Sequence, residues 1–250
     1  MKMPVPSTPD PQYHWIPGSD PQTETEIYEF FHSVEIEQLK ELMCGIGRRL
    51  WEKDYVDGNG GNLTIRVGDN IVLCTPTQNS KGFMTPEMMT LVDMEGRQIA
   101  GSRLCTSEIL THLGVMKSQP DAMACCHAHP PTATGFAVAG LTPQRFLTPE
   151  AEVFLGQIGL SEYRTPGSAA NGKEVGRVAA EHVCVLMRNH GVMTRGNHLE
   201  LAYWRMENIE TICRTYLAGR AISGRGSLPQ ISGEEMEYIL KIYEQVSAQG

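Results

Sequence analysis

The sequence lacks a long apolar run, a cluster of basic residues and a paired-cysteine motif. Without an apolar stretch of about 20 residues there is no candidate transmembrane helix. Without a Lys/Arg-rich run, and with a formal charge of −8 at pH 7, nucleic acid is not an expected partner. We therefore expect a protein that binds neither membranes nor nucleic acids.

The seven cysteines are odd in number and include no CxxC pair. Most lie in apolar runs, such as residues 71–74 and 183–187. Such cysteines are typical of reduced core residues, which predicts a cytoplasmic location. Adjacent Cys125 and Cys126 would point to opposite faces of a strand, so we do not expect them to bind one metal ion together.

Residues 1–26 are rich in proline and polar residues and lack the apolar core of a secretory signal. This composition predicts a flexible N-terminal arm. The remainder, residues 27–250, is long enough to bury a core and is expected to form one domain.

Beyond the arm, helical and strand patterns alternate. Two hairpins are expected, at residues 63–75 and 91–99, and Pro86 suggests a helix start at residues 85–87. Short buried strands are expected at residues 122–126 and 183–187, with a linker at 223–229. Apolar spacing predicts helices over residues 33–53, 107–117, 172–182, 199–221 and 234–247. Antiparallel hairpins with helices between them indicate a layered domain of the mixed α/β or α+β class.

His127 and His129 are separated by one residue at the end of an expected strand. Side chains at i and i+2 project from the same face, so both imidazoles could bind one ion at about 2.0–2.1 Å. Pro130 and Pro131 are expected to keep the chain extended as it leaves the strand. The alternative is two polar rings tolerated at a strand end, and spacing alone leaves both interpretations open.

His190 lies between a buried strand and Gly191, at an expected strand-to-strand turn, where it is either a third ligand or an ordinary turn histidine. Three imidazoles with one open position are the usual arrangement of catalytic zinc. Glu108 follows a cap-like Thr-Ser pair, where a carboxylate is a metal ligand, a proton-transfer group or a group favoured by the helix dipole. The other histidines are expected at the surface or in an interface; they are residues 14, 32, 112, 182 and 198.

Three segments carry groups that bind anions. Residues 60–62 offer backbone amides, residues 75–82 offer hydroxyls, amides and a lysine, and residues 106–107 lie at a helix N-terminus. Turn chemistry and helix capping explain each segment equally well when it is taken alone.

Taken together and in order, five segments resemble the class II aldolase family of metal-dependent sugar-phosphate lyases, over residues 35–243. The segments are Gly61-Asn62-Leu63-Thr64-Ile65-Arg66, Thr75-Pro76-Thr77, Thr106-Ser107-Glu108, His127-Ala128-His129 and Asn189-His190-Gly191. The resemblance implies an α/β fold of three layers (αβα) with a central, mainly antiparallel sheet flanked by helices. It also implies a homotetramer with active sites at subunit interfaces.

The resemblance further implies residue roles. The zinc ligands would be His127, His129 and His190, with Glu108 as a ligand and acid/base group. Manganese or cobalt could replace zinc in a histidine-rich site. The implied phosphate-binding positions are Asn62, Thr77, Thr106 and Ser107.

The sequence also departs from the fuculose-type members of that family. Gln78 stands where those enzymes have glycine, and its long side chain is expected to contact substrate. The positions of two family tyrosines are occupied by Thr148 and Val246. The proton donor is therefore expected among nearby residues, namely Glu150, Glu152 and Tyr243.

These observations lead to a hypothesis of function in carbohydrate metabolism. The chain is expected to be a zinc-dependent aldolase that cleaves a ketose or deoxy-sugar 1-phosphate, of the fuculose or rhamnulose type, into dihydroxyacetone phosphate and a short aldehyde. The alternative is a metal-dependent decarboxylase of a phosphorylated keto acid on the same fold. A 4-epimerase is less favoured because those enzymes carry Asp where Glu108 stands, and an adducin-like module is less favoured because it lacks the metal histidines.

Overall fold

An eight-stranded sheet forms the centre of the computed structural model, which describes residues 13–247. In chain order the strands are Asn62–Arg66 (β1), Ile71–Cys74 (β2), Thr90–Asp93 (β3), Gln98–Ala100 (β4), Ala124–Ala128 (β5), Gly159–Ser161 (β6), Cys184–Met187 (β7) and Gly191–Gly196 (β8). Their order across the sheet is β4-β3-β2-β1-β5-β8-β7-β6. All neighbours are antiparallel except β6 and β7, which are parallel.

Helices cover both faces of this sheet. Within residues 13–247 they are Glu24–Phe31 (α1), Val34–Glu52 (α2), Ile109–Ser118 (α3), Pro131–Ala139 (α4), Pro149–Phe154 (α5), Ala169–Ala179 (α6), Leu199–Ser223 (α7) and Gly233–Ser247 (α8). Short 3-10 turns lie at Lys81–Phe83 and Pro86–Met88. None of the helices in this part of the chain is long and apolar enough to cross a membrane.

Two apolar clusters, one on each face of the sheet, produce three layers. One cluster joins Cys125 of β5 to Leu113 of α3 and Val175 of α6. The other contains Cys126 together with the buried faces of α2 and α7. Neighbouring strand residues thus face opposite layers, as expected for the two cysteines. The predicted αβα fold with a mainly antiparallel sheet is confirmed.

Helix α2 shows how the pattern of apolar residues sets this packing. Its fully buried residues Ile36, Met43 and Leu50 recur at intervals of two turns. The Ser33 side chain accepts a hydrogen bond from the Ile36 amide and caps the first turn. The helix predicted over residues 33–53 is therefore confirmed.

The predicted boundary between arm and domain, at residue 26, needs correction. Helix α1 crosses it, and the chain before α1 is tied to the β1–β2 turn. Trp15 donates to Asp69 Oδ1 at 2.9 Å, while Asp20 accepts hydrogen bonds from the amides of Asp69 and Asn70 at 2.9 and 2.7 Å. The flexible-arm prediction does not hold for residues 13–26, and its remainder, residues 1–12, lies outside the described residues.

Two local predictions were also wrong. Pro131 does not extend the chain but begins α4, where its missing amide proton and fixed φ suit a first helical position. The expected helix start at residues 85–87 is a single 3-10 turn. Elsewhere the predicted helices and hairpins are present with shifted ends. In particular, β5 runs to Ala128 and includes His127.

Candidate metal centre

Three adjacent strands bring the predicted histidines together. Strands β1, β5 and β8 are neighbours, and Asn62 at the start of β1 pairs with His127 near the end of β5. The turn between β7 and β8 carries His190 at the same end of the sheet. Since antiparallel strands alternate in direction, the start of β1, the end of β5 and the β7–β8 turn meet at one edge.

The metal-ligand candidates form a tight cluster there. Ring nitrogens of His127, His129 and His190 all lie within 4.8 Å of one another. The Nε2 atoms of His127 and His129 are 3.2 Å apart. Two nitrogens that share a tetrahedral zinc ion at about 2.0–2.1 Å would be separated by about 3.3 Å. The observed spacing therefore fits a zinc-sized ion.

Hydrogen bonds outside the cluster turn Nε2 of two rings inward. His127 Nδ1 bonds to the Val192 carbonyl at 2.8 Å, and His129 Nδ1 bonds to Asp57 Oδ1 at 2.8 Å. Partners of this kind orient metal-binding imidazoles and fix their tautomers. His190 Nδ1 is buried and has no hydrogen-bond partner among residues 13–247. Sequence reasoning missed Asp57, although its place in the loop before Asn62 was a possible signal.

Glu108 completes the cluster. Its Oε2 lies 3.1 Å from His127 Nε2, and its Oε1 lies 3.3 Å from His190 Nε2. Glu108 Oε1 is buried without a hydrogen-bond partner among the described residues, which fits an oxygen that faces a cation. Glu108 directly precedes α3 and makes no side-chain cap, so its carboxylate is available to the cluster.

The charges of the cluster suit a cation. Burial alone would raise the pKa of Glu108, but His127, His190 and Asn62 outweigh it and hold that pKa well below its usual range. Burial lowers the pKa of His190 to about 4, with the charge of His127 acting in the same direction. At neutral pH the site thus holds an ionised carboxylate and an imidazole with a free lone pair, as metal binding requires.

His112 is not at the surface, as the sequence suggested, but fully buried. Burial lowers its pKa to about 3, so the ring is neutral. Asn62 Nδ2 donates to Glu108 Oε2 at 2.9 Å, which turns Asn62 Oδ1 toward His112 Nε2. His112 Nε2 must therefore carry the proton, and Nδ1 accepts from Thr64 Oγ1 at 2.8 Å. This chain of hydrogen bonds fixes the Asn62 amide. The spacing of His112 one turn after Glu108 was its only signal in the sequence.

A polar cavity of about 180 Å³ adjoins the cluster. Its wall includes every residue expected to bind phosphate or substrate, namely Asn62, Thr77, Gln78, Thr106 and Ser107, together with Glu108, His129 and Lys81. Gln78 has a φ of +55°, in the left-handed region that favours glycine. Strained backbone of this kind often marks a functional loop. A cleft of about 910 Å³ lies elsewhere, beside α1 and β4, but it holds no cluster of three ligand groups among the described residues.

Gly61 permits the close approach of β1 to β5 at this cavity. Its φ is +72°, and a Cβ atom there would lie 2.6 Å from Val56 Cγ1 and 2.9 Å from the His127 carbonyl oxygen. Only glycine fits this conformation and this space without a shift of the backbone.

The three proton-donor candidates do not line the cavity. Glu150 is exposed in the first turn of α5. Glu152 is buried, and its carboxylate binds Arg145 at 2.6 Å and the Phe146 amide at 2.9 Å. Tyr243 packs against Phe154, with ring centroids 6.1 Å apart. Within residues 13–247 of one chain, Glu108 is therefore the carboxylate that both contacts the cluster and lines the cavity.

Comparisons with known proteins agree with this geometry. The family described as Class II Aldolase and Adducin N-terminal domain matches residues 41–217. A 3-oxo-tetronate 4-phosphate decarboxylase of Haemophilus influenzae is 32% identical over 181 residues, 71% of this chain and 86% of that protein. An L-fuculose phosphate aldolase of Methanococcus vannielii is 34% identical over 176 residues, 70% of this chain and 93% of that protein.

Solved structures show the same fold. YgbL from Escherichia coli, described as an aldolase, epimerase or decarboxylase, superposes with a TM-score of 0.74 at 24% identity, over 82% of this chain and 98% of that one. An L-fuculose-1-phosphate aldolase from Thermus thermophilus superposes with a TM-score of 0.68 at 24% identity, over 77% of this chain and 99% of that one.

Proposed function

Because the chain belongs to the Class II Aldolase and Adducin N-terminal domain family, we propose that it is a metal-dependent lyase that cleaves a carbon–carbon bond in a small phosphorylated sugar derivative. The observation that carries this proposal is the contact between three inward-facing imidazoles, the Glu108 carboxylate and a polar cavity.

The proposed ion is Zn²⁺, held by His127, His129 and His190 with Glu108 beside them. Mn²⁺ and Co²⁺ are the other candidates, since imidazole accepts several divalent metals. When bound, such an ion supplies Lewis-acid stabilisation of the negative charge that develops on a substrate oxygen as the carbon–carbon bond breaks.

The residues of the chain would bind the substrate and manage one proton. The hydroxyl and amide groups of Thr77, Ser107 and Asn62 would orient a phosphate at the cavity wall, so that its binding energy positions the reacting carbons. Glu108 would move a proton to or from the carbon next to the substrate carbonyl. Gln78, which replaces a glycine of fuculose-type enzymes, would contact the substrate at the mouth of the cavity.

The leading reaction is a retro-aldol cleavage of a fuculose- or rhamnulose-type ketose 1-phosphate, which yields dihydroxyacetone phosphate and a short aldehyde. It requires removal of a hydroxyl proton as well as proton transfer at carbon. Glu150 or Tyr243 would serve as the group that removes the hydroxyl proton only from a neighbouring subunit, since neither lines the cavity of its own chain. Glu152 is excluded because its carboxylate is buried against Arg145. We accordingly propose a cytoplasmic homotetramer with sites completed at subunit interfaces.

Decarboxylation of a phosphorylated 3-keto acid is the second candidate. It requires proton delivery at a single carbon, and one carboxylate can supply that. Glu108 is the one carboxylate that lines the cavity among the described residues. The resemblance to a 3-oxo-tetronate 4-phosphate decarboxylase supports this candidate at a level comparable to the aldolase.

One assay separates these possibilities. Purified zinc-loaded protein is incubated with a panel of ketose 1-phosphates and 3-keto acid phosphates, and both dihydroxyacetone phosphate and carbon dioxide are measured. His127→Ala should abolish either reaction, whereas His182→Ala, which removes a histidine outside the site, should not. If neither product forms from any substrate and the protein binds no divalent metal, the proposed lyase activity is wrong and a non-catalytic module is favoured.

A further inference from the structure

Lys81 is a buried cation at the wall of the cavity. Its side chain is 1% exposed, and its Nζ donates to the Asn59 carbonyl at 3.0 Å and the Asn79 carbonyl at 2.6 Å. An ammonium group carries three protons. Among residues 13–247 no group accepts the third.

Lys40, the other fully buried lysine among residues 13–247, differs from Lys81 in having a carboxylate partner. It is also 1% exposed and donates to a backbone carbonyl, that of Phe31, at 2.6 Å. Its second partner, however, is the Glu37 carboxylate at 2.8 Å. No carboxylate of the described residues lies within ion-pair distance of Lys81. Burial lowers the pKa of Lys81 to about 8, with the more distant Glu108 acting against it. A buried ammonium without a counter-charge is costly and invites an anion.

The backbone of Lys81 is held firmly against α2. A Cβ atom on Gly47 of α2 would lie 2.6 Å from the Lys81 carbonyl oxygen, and one on Gly82 would lie 2.6 Å from the Trp51 ring. Two glycines thus let the 3-10 turn pack closely on the helix. The ammonium is therefore held at a defined place under the cavity wall.

Anion-binding groups surround that place. The same cavity is lined by Thr77, Ser107 and Asn62. The whole chain is acidic, at −8, so an anionic ligand needs local positive charge. Because the Lys81 ammonium is shielded from bulk water, its field on an anion in the cavity is weakly screened.

We propose that Lys81 is a specificity-determining residue: its charge selects ligands with a phosphate group in this cavity over neutral ligands of the same shape. The inference rests on the proposed function in taking the ligand to be a phosphate ester. It adds a residue outside the predicted phosphate-binding set, and it assigns that residue an electrostatic role that does not require direct contact with the phosphate.

The test compares binding of inorganic phosphate to zinc-loaded variants by isothermal titration calorimetry. Lys81→Gln keeps amide protons for the two carbonyls but removes the charge, and it should weaken phosphate binding by about tenfold or more. Lys81→Arg, which keeps the charge, should retain most of the affinity. Lys40→Gln is the matched control and should bind phosphate as the wild type does. Equal affinity of Lys81→Gln and the wild type would overturn the proposal.

A merely structural role for Lys81 predicts a different result. If it only ties Asn59 to Asn79, Lys81→Gln would weaken zinc binding in parallel with phosphate binding. A charge role predicts weaker phosphate binding with zinc affinity preserved. A parallel loss of zinc affinity would count against the proposal.

A second variant covers the case in which Lys81→Gln does not fold. Lys81→Met keeps a stem of similar length and removes the charge, and it should weaken phosphate binding about as much as Lys81→Gln; phosphate affinity equal to that of the wild type would overturn the proposal. The lyase assay is separate. Lys81-dependent phosphate binding without any cleavage would refute the proposed activity alone, whereas cleavage with a KM unchanged in Lys81→Gln would refute the role of Lys81 alone.

Discussion

Asn62 Nδ2 donates a hydrogen bond of 2.9 Å to Glu108 Oε2, and this contact links the polar wall of the cavity to the imidazole cluster. The Asn62 amide can hold this orientation because its carbonyl oxygen accepts a hydrogen bond from His112 Nε2. The position of the Glu108 carboxylate thus depends on a buried ring that lines no part of the cavity.

Replacement of His112 should therefore impair a cavity that it does not line. In His112→Leu the Asn62 amide is free to rotate, and its oxygen can turn toward Glu108. We expect kcat/KM for the substrate identified by the lyase assay to fall by about 10–100-fold, as is usual for groups that orient metal-site residues. His112→Gln, which can donate to Asn62 and accept from Thr64, should recover part of this loss. An unaltered kcat/KM in a folded His112→Leu protein would contradict the role.

The lowered pKa of His112 also predicts how the free energy of unfolding depends on pH. Its folded pKa is lowered to about 3, whereas the unfolded ring titrates near 6.5. Between these values the unfolded chain binds a proton that the folded protein excludes. The free energy of unfolding should therefore fall as the pH drops below 6.5 toward 3, by on the order of 2–4 kcal/mol in total from this group. Urea unfolding of the metal-free proteins at pH 7 and pH 5 should show a smaller loss of stability in His112→Gln than in the wild type.

Asp57 should control metal affinity through His129. Loss of the carboxylate in Asp57→Ala frees the ring and its tautomer, so zinc affinity should drop by about 10–100-fold. Competition with a chromogenic chelator measures this directly, without reference to activity. Asp54→Asn, an exposed change three residues earlier in the same region, is the control. Equal zinc affinities in the two variants would show that Asp57 does not orient His129.

Substitutions at two glycines of one loop distinguish the cost of backbone strain from the cost of a steric clash. Gly58 and Gly61 both have positive φ, but only Gly61 lacks room for a Cβ atom. Gly58→Ala should cost about 1–2 kcal/mol of stability from the left-handed conformation alone. Gly61→Ala should cost more, since it also pushes β1 away from β5, and it should weaken metal binding. Urea unfolding of both variants, with zinc titrations, tests this. Similar losses of stability in Gly58→Ala and Gly61→Ala would show that a Cβ atom at residue 61 makes no steric clash with β5.

That His127 and His129 face the same side was predictable because its signal is local, whereas the place of His190 and Glu108 beside them was implied only by the family resemblance. Two histidines at i and i+2 on an extended chain must share a face, whatever the rest of the fold. The burial of Cys125 and Cys126 on opposite faces of the sheet followed from the same alternation of side chains along a strand. The two antiparallel hairpins likewise followed from local patterns, whereas the central sheet was implied by the family resemblance.

Other features depend on tertiary contacts that no local pattern encodes. The burial of Lys81 requires Gly47 and Gly82 to let its turn approach α2, and Gly47 is far from Lys81 in the sequence. His112 looked like one more helical histidine, because nothing nearby indicates that Thr64 and Asn62 would surround it. Helix α4 was missed since its small apolar residues show no polar face and therefore no helical period.

The outermost strands, β4 and β6, are only three residues long each. A short edge offers few free amide and carbonyl groups to a strand of another molecule, and such edges are a common protection against runaway aggregation. The sheet of one molecule is thus a poor template for extension by the next. Any regular association of this chain with itself should be built from helical faces and loops, and circular dichroism should show no gain of strand content when subunits assemble.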